Sequence, residues 1–355
     1  MKASSLPLLR CPKDACEQSS LTADIWAETE LPGGERDFVE GVVSCTGCRG
    51  DYPIVAGVLL LIENLTAYLK DHLGVILHLT QTPPSTGMAS WLTSRAPDHT
   101  DARYVRRSMK LEDRYVNAFL GAHYDRTPPA EDHDNPLAEL LAATASRDLW
   151  AHCATLVDKA QPASALDAGC SVGGLTALLS QRRSRTLGFD TSFLSVLAAR
   201  RAVLSAPAPL DAYRAYGEGD RYQEHALSVA AKPDHADFVV ASALAPTVAE
   251  PVELTCAVNL IDLVPDPARL LDTLLSQTSE TGHVLITSPY GWSDVARDRR
   301  LGGSAEESSP DALRAAAAAR GLRVVWEDRQ TPWMWRDYSR FWRLYLVDAV
   351  LFART

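Results

Sequence analysis

The sequence predicts an α/β protein: a doubly wound, mostly parallel sheet with a small cysteine-bearing domain ahead of it. Three observations carry the prediction. From residue 163 onward, strand-like and helix-like patterns alternate, the order that builds a parallel sheet with helices on both faces. Near the end, "LRVVWEDR" (322–329) and "RLYLVDAVLFAR" (343–354) read as a pair of strands. At the start, four of the seven cysteines fall within the first 48 residues, as two pairs.

The 355 residues suffice for one large domain and a small one, or two medium ones. The longest aliphatic run, "GVLLLI" at 57–62, is too short for a bilayer. The start "MKASSLPLLRCP" lacks the apolar stretch and cleavage site of a signal peptide. A cytoplasmic location is expected. The net charge of -10 opposes non-specific binding to nucleic acid or to an anionic membrane.

Cys11 and Cys16 are spaced C-x4-C, and Cys45 and Cys48 C-x2-C, each pair among small or turn-forming residues. Two such knuckles can aim four thiolates at one tetrahedral zinc ion. Disulfides or free thiols are the alternative, and disulfides do not suit a reducing compartment. Four cysteine ligands would close the site, making the metal structural. Cys11-Pro12, Cys45-x-x-Cys48, Tyr52-Pro53-Ile54 and Gly57 resemble the zinc-ribbon family that includes the activator subunit of transfer-RNA and protein methyltransferases, although the first knuckle is wider than the usual C-x2-C. The resemblance covers roughly 6–62 and implies a zinc-ribbon domain, taken as 1–62, through which a protein partner could bind. A module this small needs its metal to hold together.

Residues 63–150 read as a helical connecting or lid region. "NLTAYLKDHLGVILHL" puts Leu65, Leu69, His72, Leu73 and Ile76 on one helical face. A second helical run starts at Asn135-Pro136 and reaches Ala160. Between them, 81–101 is rich in Pro, Ser and Thr and reads as a loop. His123 and Tyr124 stand where a helix gives way to a loop, a position that suits surface capping.

"SALDAGCSVGGLTALLSQRRSRTLGFDTSF" reads as strand, glycine turn, helix, strand. Asp167, Gly169 and Gly173 form the turn, whose glycines allow a ligand close to backbone at a helix N-terminus. Asp190 ends the next strand, 21 positions after Gly169, where an acid can take two ribose hydroxyls. The turn is D-x-G-x-x-x-G and not the dinucleotide pattern G-x-G-x-x-G. With "DFVVASA" at 237–243, "ELTCAVNLIDLVPDP" and "HVLITSPY", it resembles the class I S-adenosylmethionine methyltransferases. That resemblance covers 151–355. It implies a Rossmann-like, seven-stranded sheet whose last strand pair is antiparallel, and S-adenosylmethionine as cofactor. The cofactor side would comprise Asp167, Gly169, Cys170, Gly173, Asp190, Thr191, Ser242, Ala243 and Asn259.

"AHYD", "ALDAGCSVGG", "GFDTSF", "NLID", "TSPYGW", "LGG" and "TPWMWRDYSRFW" occur in this order. They resemble the methyltransferase domain of ovothiol-biosynthesis enzymes, which N-methylates a mercaptohistidine imidazole, and more distantly the protein-histidine N-methyltransferases. The implied acceptor is a histidine-type imidazole in a small molecule or peptide. Leu263 stands where that family usually has an arginine, and Asp125 replaces a glycine, so another small thiol, phenol or amine acceptor stays open. So does a partner-binding scaffold with an inactive fold.

Asn259 and Asp262 follow the fourth strand, at the sheet edge where ligands of this architecture lie. A carboxylate there can accept an imidazole N–H, fix the tautomer that frees the opposite nitrogen, and take up the released proton. Asp266, directly before Pro267, is the better helix cap, which leaves Asp262 for the acceptor. Tyr124, Tyr290 and Trp292 are candidates for an aromatic wall around the acceptor. Arg336 and Arg340 are candidates for gripping an acceptor carboxylate, with surface ion pairing as the equal alternative.

Overall fold

The structure is a computed structural model that describes the chain except residues 17, 18, 81, 82, 97–101, 126–147, 220, 232 and 355. The cysteine-bearing segment forms a meander of β1 (Leu21–Glu30), β2 (Arg36–Cys45), β3 (Asp51–Val55) and β4 (Val58–Leu61), each antiparallel to the next. The turn between β1 and β2 uses Gly33 and Gly34 at φ 108° and 85°, left-handed values that favour glycine.

Helices follow: α1 (Leu65–His78), α2 (Thr86–Arg95), α3 (Ala102–Tyr124) and α4 (Leu149–Ala160). Asn64 caps α1 by accepting from Ala67 N at 3.1 Å, and Leu69, Leu73 and Ile76 are buried as their spacing predicts. The stretch 81–101, expected as a loop, contains α2. Ser85 caps it, and Met88 and Leu92, one turn apart, bury its inner face. The start expected for the next helix at Asn135-Pro136 lies outside the described residues. Its described part, α4, begins after Asp148, which accepts from Ala151 N at 2.8 Å.

The rest alternates: β5 (Ser164–Ala168), α5 (Gly174–Gln181), β6 (Arg185–Asp190), α6 (Phe193–Leu204), a hairpin β7 (Ala212–Tyr216) and β8 (Tyr222–Ala226), β9 (Ala236–Ala241), β10 (Val252–Val258), α7 (Pro267–Ser276), β11 (Thr278–Ser288), α8 (Ser309–Ala318), β12 (Leu322–Tyr338) and β13 (Phe341–Arg354). Asp266 caps α7 through Arg269 N at 3.0 Å, with Pro267 in its first turn.

Among the described residues the main sheet has eleven strands, in the order β1-β2-β3-β4-β9-β6-β5-β10-β11-β13-β12. This corrects the expected seven. The seven are present from β9 to β12: five parallel strands, then β13 antiparallel to both β11 and β12. The additional four come from the cysteine-bearing segment, because β4 pairs in parallel with β9 through Leu60↔Val240 and Leu61↔Ala241. All six residues of β9 are buried. A buried strand edge must have its backbone groups paired, and β4 supplies the partner. The hairpin β7–β8 stands apart as a two-stranded sheet that the sequence patterns did not reveal.

The cysteine-bearing strands share one apolar core with the parallel sheet: Tyr52, Ile54 and Leu59 join Phe189, Val239 and Ile286 in a single cluster. A buried ion network reinforces the joint. Arg200 on α6, wholly buried, donates to Asp37 of β2 at 2.5 Å and to Asp237 of β9. Although burial works against ionisation, Arg200 holds the Asp37 carboxyl below its usual range.

Candidate active site and cysteine cluster

A cavity of about 740 Å³ opens where the strand ends of β5, β6 and β10 meet α3, α4 and the β12–β13 hairpin. On one side lies the turn between β5 and α5. Gly169 has φ 73°, and a Cβ there would come within 2.9 Å of Leu260. Gly173 has φ 89° and is packed against Phe238 and Ala199. Asp167 is 1% exposed and accepts from Thr176 Oγ1 at 2.7 Å; its burial pushes the carboxyl up to about 7. Asp190 faces the turn from the end of β6. Its Oδ2 accepts from Ser171 N at 3.0 Å and its Oδ1 from Ser192 N at 2.8 Å. These bonds fix the carboxylate's orientation. Burial raises its pKa despite them.

Asn259 and Asp262 line the same cavity. Asn259 adopts φ 52° directly after β10, and its backbone N–H and Oδ1 both bond Thr287 Oγ1, at 3.0 and 2.9 Å. Its Nδ2 is buried with no protein partner. Asp262 is 3% exposed; Gly291 N donates to its Oδ2 at 2.8 Å and the Ser288 hydroxyl also favours the ionised carboxyl, while Oδ1 is buried and makes no hydrogen bond among the described residues. Burial raises its pKa. The pair therefore brings one uncommitted amide donor and one uncommitted carboxylate acceptor to the same site, an arrangement that costs stability unless a ligand completes it.

Of the predicted residues, Asp167, Gly169, Cys170, Asp190, Thr191, Asn259 and Asp262 line this cavity, and the others do not. Gly173 serves the turn and the start of α5. Ser242 accepts from Leu244 N in a turn, and Ala243 packs in the core. Tyr124 is tied to Val172 O, Tyr290 to Asp348 and Trp292 to Ser309. Arg340 is an exposed partner of Glu218. Arg336 occupies a smaller pocket next door.

The aromatic side chains that line the cavity are Phe119 and His123 of α3, Trp150 of α4, and Trp333, Trp335 and Tyr345 of the last hairpin. His123, expected as a surface cap, is drawn inward. Its Nδ1 accepts from Gly174 N at 3.2 Å at the start of α5, and its ring lies 4.8 Å from that of Trp150. Burial lowers its pKa to about 3, so the imidazole is neutral, with its proton on Nε2. The signal for it was indirect: the glycine turn leaves helix N–H groups in need of an acceptor. The tryptophans carried no such signal, since their spacing on β12 is equally that of plain core packing.

The four N-terminal cysteines do converge. The Sγ atoms of Cys11, Cys16, Cys45 and Cys48 all lie within 4.8 Å of one another, with Cys11 and Cys48 at 3.8 Å. The wide first knuckle closes through a short 3-10 turn in which Cys16 N donates to Lys13 O at 2.9 Å. Thiolates about 2.3 Å from a tetrahedral zinc stand roughly 3.8 Å apart, so the donor set and its spacing fit that ion.

Residues 141–327, just over half the chain, match the family model of a methyltransferase domain. No curated protein matches the chain. Among solved structures, a magnesium protoporphyrin IX methyltransferase from Synechocystis with bound S-adenosylmethionine is 14% identical, covering 68% of this chain and 97% of its own, with a TM-score of 0.40. A TehB-like methyltransferase from Corynebacterium glutamicum is 18% identical over 64% of this chain and 100% of its own, with a TM-score of 0.38. The N-methyltransferase NodS from Bradyrhizobium japonicum, in complex with S-adenosylhomocysteine, is 14% identical over 67% and 98%, with a TM-score of 0.35. The family match, on a sheet with this strand order, places the chain in the methyltransferase-domain family, as an S-adenosylmethionine-dependent methyltransferase of Rossmann-like α/β fold.

Proposed function

We propose that the enzyme methylates a ring nitrogen of a histidine-type imidazole in a small molecule or peptide. The observation that carries this reading is the pairing of Asn259 with Asp262, whose Nδ2 and Oδ1 are buried without partners beside one cavity. S-adenosylmethionine, when bound, supplies a sulfonium methyl group open to in-line attack. Asp190 would take the ribose hydroxyls, since two backbone N–H groups already fix its carboxylate, and Gly169 gives the close backbone approach. Asp262 would accept the imidazole N–H, leave the opposite nitrogen's lone pair free to attack, and take up the proton that methylation releases. Residues 151–355 form the transferase unit in this reading, and 63–150 supply part of the cavity wall through α1, α3 and α4. The cavity's aromatic lining suits a planar ring.

A screen of imidazole, thiol and phenol acceptors with labelled S-adenosylmethionine, read by mass spectrometry, tests the acceptor. Methylation of thiols or phenols alone would overturn the imidazole assignment. One feature favours that rival: Leu263, at the place of the family arginine, lines the cavity and is 56% exposed, so the mouth is more apolar than the resemblance implies.

Calorimetry should show binding of S-adenosylhomocysteine and none of NAD. Asp190→Ala should weaken that binding at least roughly tenfold through loss of charge-assisted hydrogen bonds. Unchanged affinity would remove Asp190 from the cofactor site.

Cys11, Cys16, Cys45 and Cys48 would hold one structural zinc in a ribbon-like module over 1–62. Protein purified without added metal should contain about one zinc per chain. Zinc-free protein with these cysteines disulfide-bonded in reducing buffer would rule the site out.

A further inference from the structure

Next to the main cavity lies a pocket of about 50 Å³. Arg336 of β12 borders it, with Nε and Nη1 both buried and without partner. Its cross-strand neighbour, Trp342, has its Nε1 likewise buried and unpartnered. Trp335, only 5% exposed, adds a third unpartnered indole or guanidinium group and borders both pockets.

The nearby carboxylates are committed elsewhere. Asp125 receives Tyr213 OH at 2.8 Å and faces His225 Nδ1 at 3.4 Å. Asp337 receives Arg343 at 2.8 Å and has Arg114 at 3.9 Å. A guanidinium with two buried N–H groups and no anion among the described residues is costly to the fold. The space admits a group of a few heavy atoms, and a carboxylate, charged and with two acceptor oxygens, can meet one guanidinium N–H and one indole N–H at once.

We propose that Arg336, Trp342 and Trp335 form an anion site for one carboxylate. Because Trp335 borders both pockets, that carboxylate either belongs to an acceptor held in the main cavity or arrives as a free small anion. The first source rests on the imidazole reading given above, and makes the acceptor an amino-acid-like molecule with a free carboxylate. The second does not depend on it.

Formate is the probe. At matched ionic strength against gluconate, formate should raise the melting temperature of the wild type saturably. Arg336→Met should abolish the effect. Trp342→Phe, which removes one N–H and little volume, should weaken apparent formate affinity several-fold. In the presence of S-adenosylhomocysteine, calorimetry with L-histidine and L-histidinamide separates the sources. At least about tenfold weaker binding of the amide to the wild type, with no difference in Arg336→Met, assigns the site to the acceptor's carboxylate. A formate effect without discrimination between histidine and its amide assigns it to a free anion. Equal responses of wild type and Arg336→Met in both measurements overturn the proposal. Failure of histidine to bind at all, with the formate effect intact, overturns the imidazole reading and leaves the anion site standing. S-adenosylhomocysteine affinity should be unchanged in both variants.

Discussion

Asp262→Asn should lower turnover on the acceptor by on the order of 10²-fold or more while leaving S-adenosylhomocysteine affinity intact. The substitution is nearly isosteric and keeps an oxygen for Gly291 N–H, which now donates to Asp262 Oδ2. What it removes is the charge and the proton-accepting capacity of Oδ1, the buried oxygen without a partner. The pH–rate profile carries a second test. In the proposed role Asp262 must be ionised, and burial raises its pKa, so activity should be present above that raised pKa and lost as pH falls through it. An imidazole acceptor adds its own loss below about pH 6.5, where protonation takes the attacking lone pair. In the variant only the acceptor's limb should remain. A thiol acceptor would instead gain rate towards about pH 8.5. Full activity in Asp262→Asn would reduce the aspartate to a tie between two loops.

Arg200→Met should cost about 3–5 kcal/mol of unfolding free energy, because it leaves the buried Asp237 without its guanidinium partner and Asp37 with only the buried N-terminal amine at 3.1 Å. Asp37 is fully buried and Asp237 3% exposed, and Arg200 is the side chain that bridges them. The deficit should be larger at about pH 8 than at about pH 4, since protonation relieves an unpaired buried carboxylate. Adding Asp237→Asn to Arg200→Met should recover part of the loss. Denaturant titration at the two pH values measures both effects. A loss below about 1 kcal/mol would mean that water reaches these groups and the network is of the surface kind.

The parallel unit could be read from the sequence because local patterns specify it. The turn at Gly169 and Gly173, the acid at Asp190 and the cap at Asp266 each follow from chemistry within a few residues. The cysteine cluster was legible for the same reason, even with its wide first knuckle. The extension of the sheet was not. Val58–Leu61 reads as a short apolar strand in any setting, and its pairing with β9 joins residues some 180 positions apart in sequence. The aromatic lining of the cavity was not legible on similar grounds. Tyr124, Tyr290 and Trp292 look as well suited to it as Trp333 and Trp335 until tertiary packing gives the first three their hydrogen-bond partners. That Asp262 stands at the cavity was readable by elimination, once Asp266 had taken the role of cap.

The pairing of β4 with β9 also bears on how the protein would fail. β9, "ADFVVA", is apolar apart from Asp237, with no proline or lysine to deter another chain. Covered by β4 it is inert; bared, it becomes a template for intermolecular β-addition. If the cysteine cluster holds zinc, a chelator acts at a distance on this edge by loosening the meander that shields it. The first sign of metal loss would then be clumping under mild conditions, before the transferase unit melts. Colloidal behaviour would depend on an ion that takes no part in the chemistry.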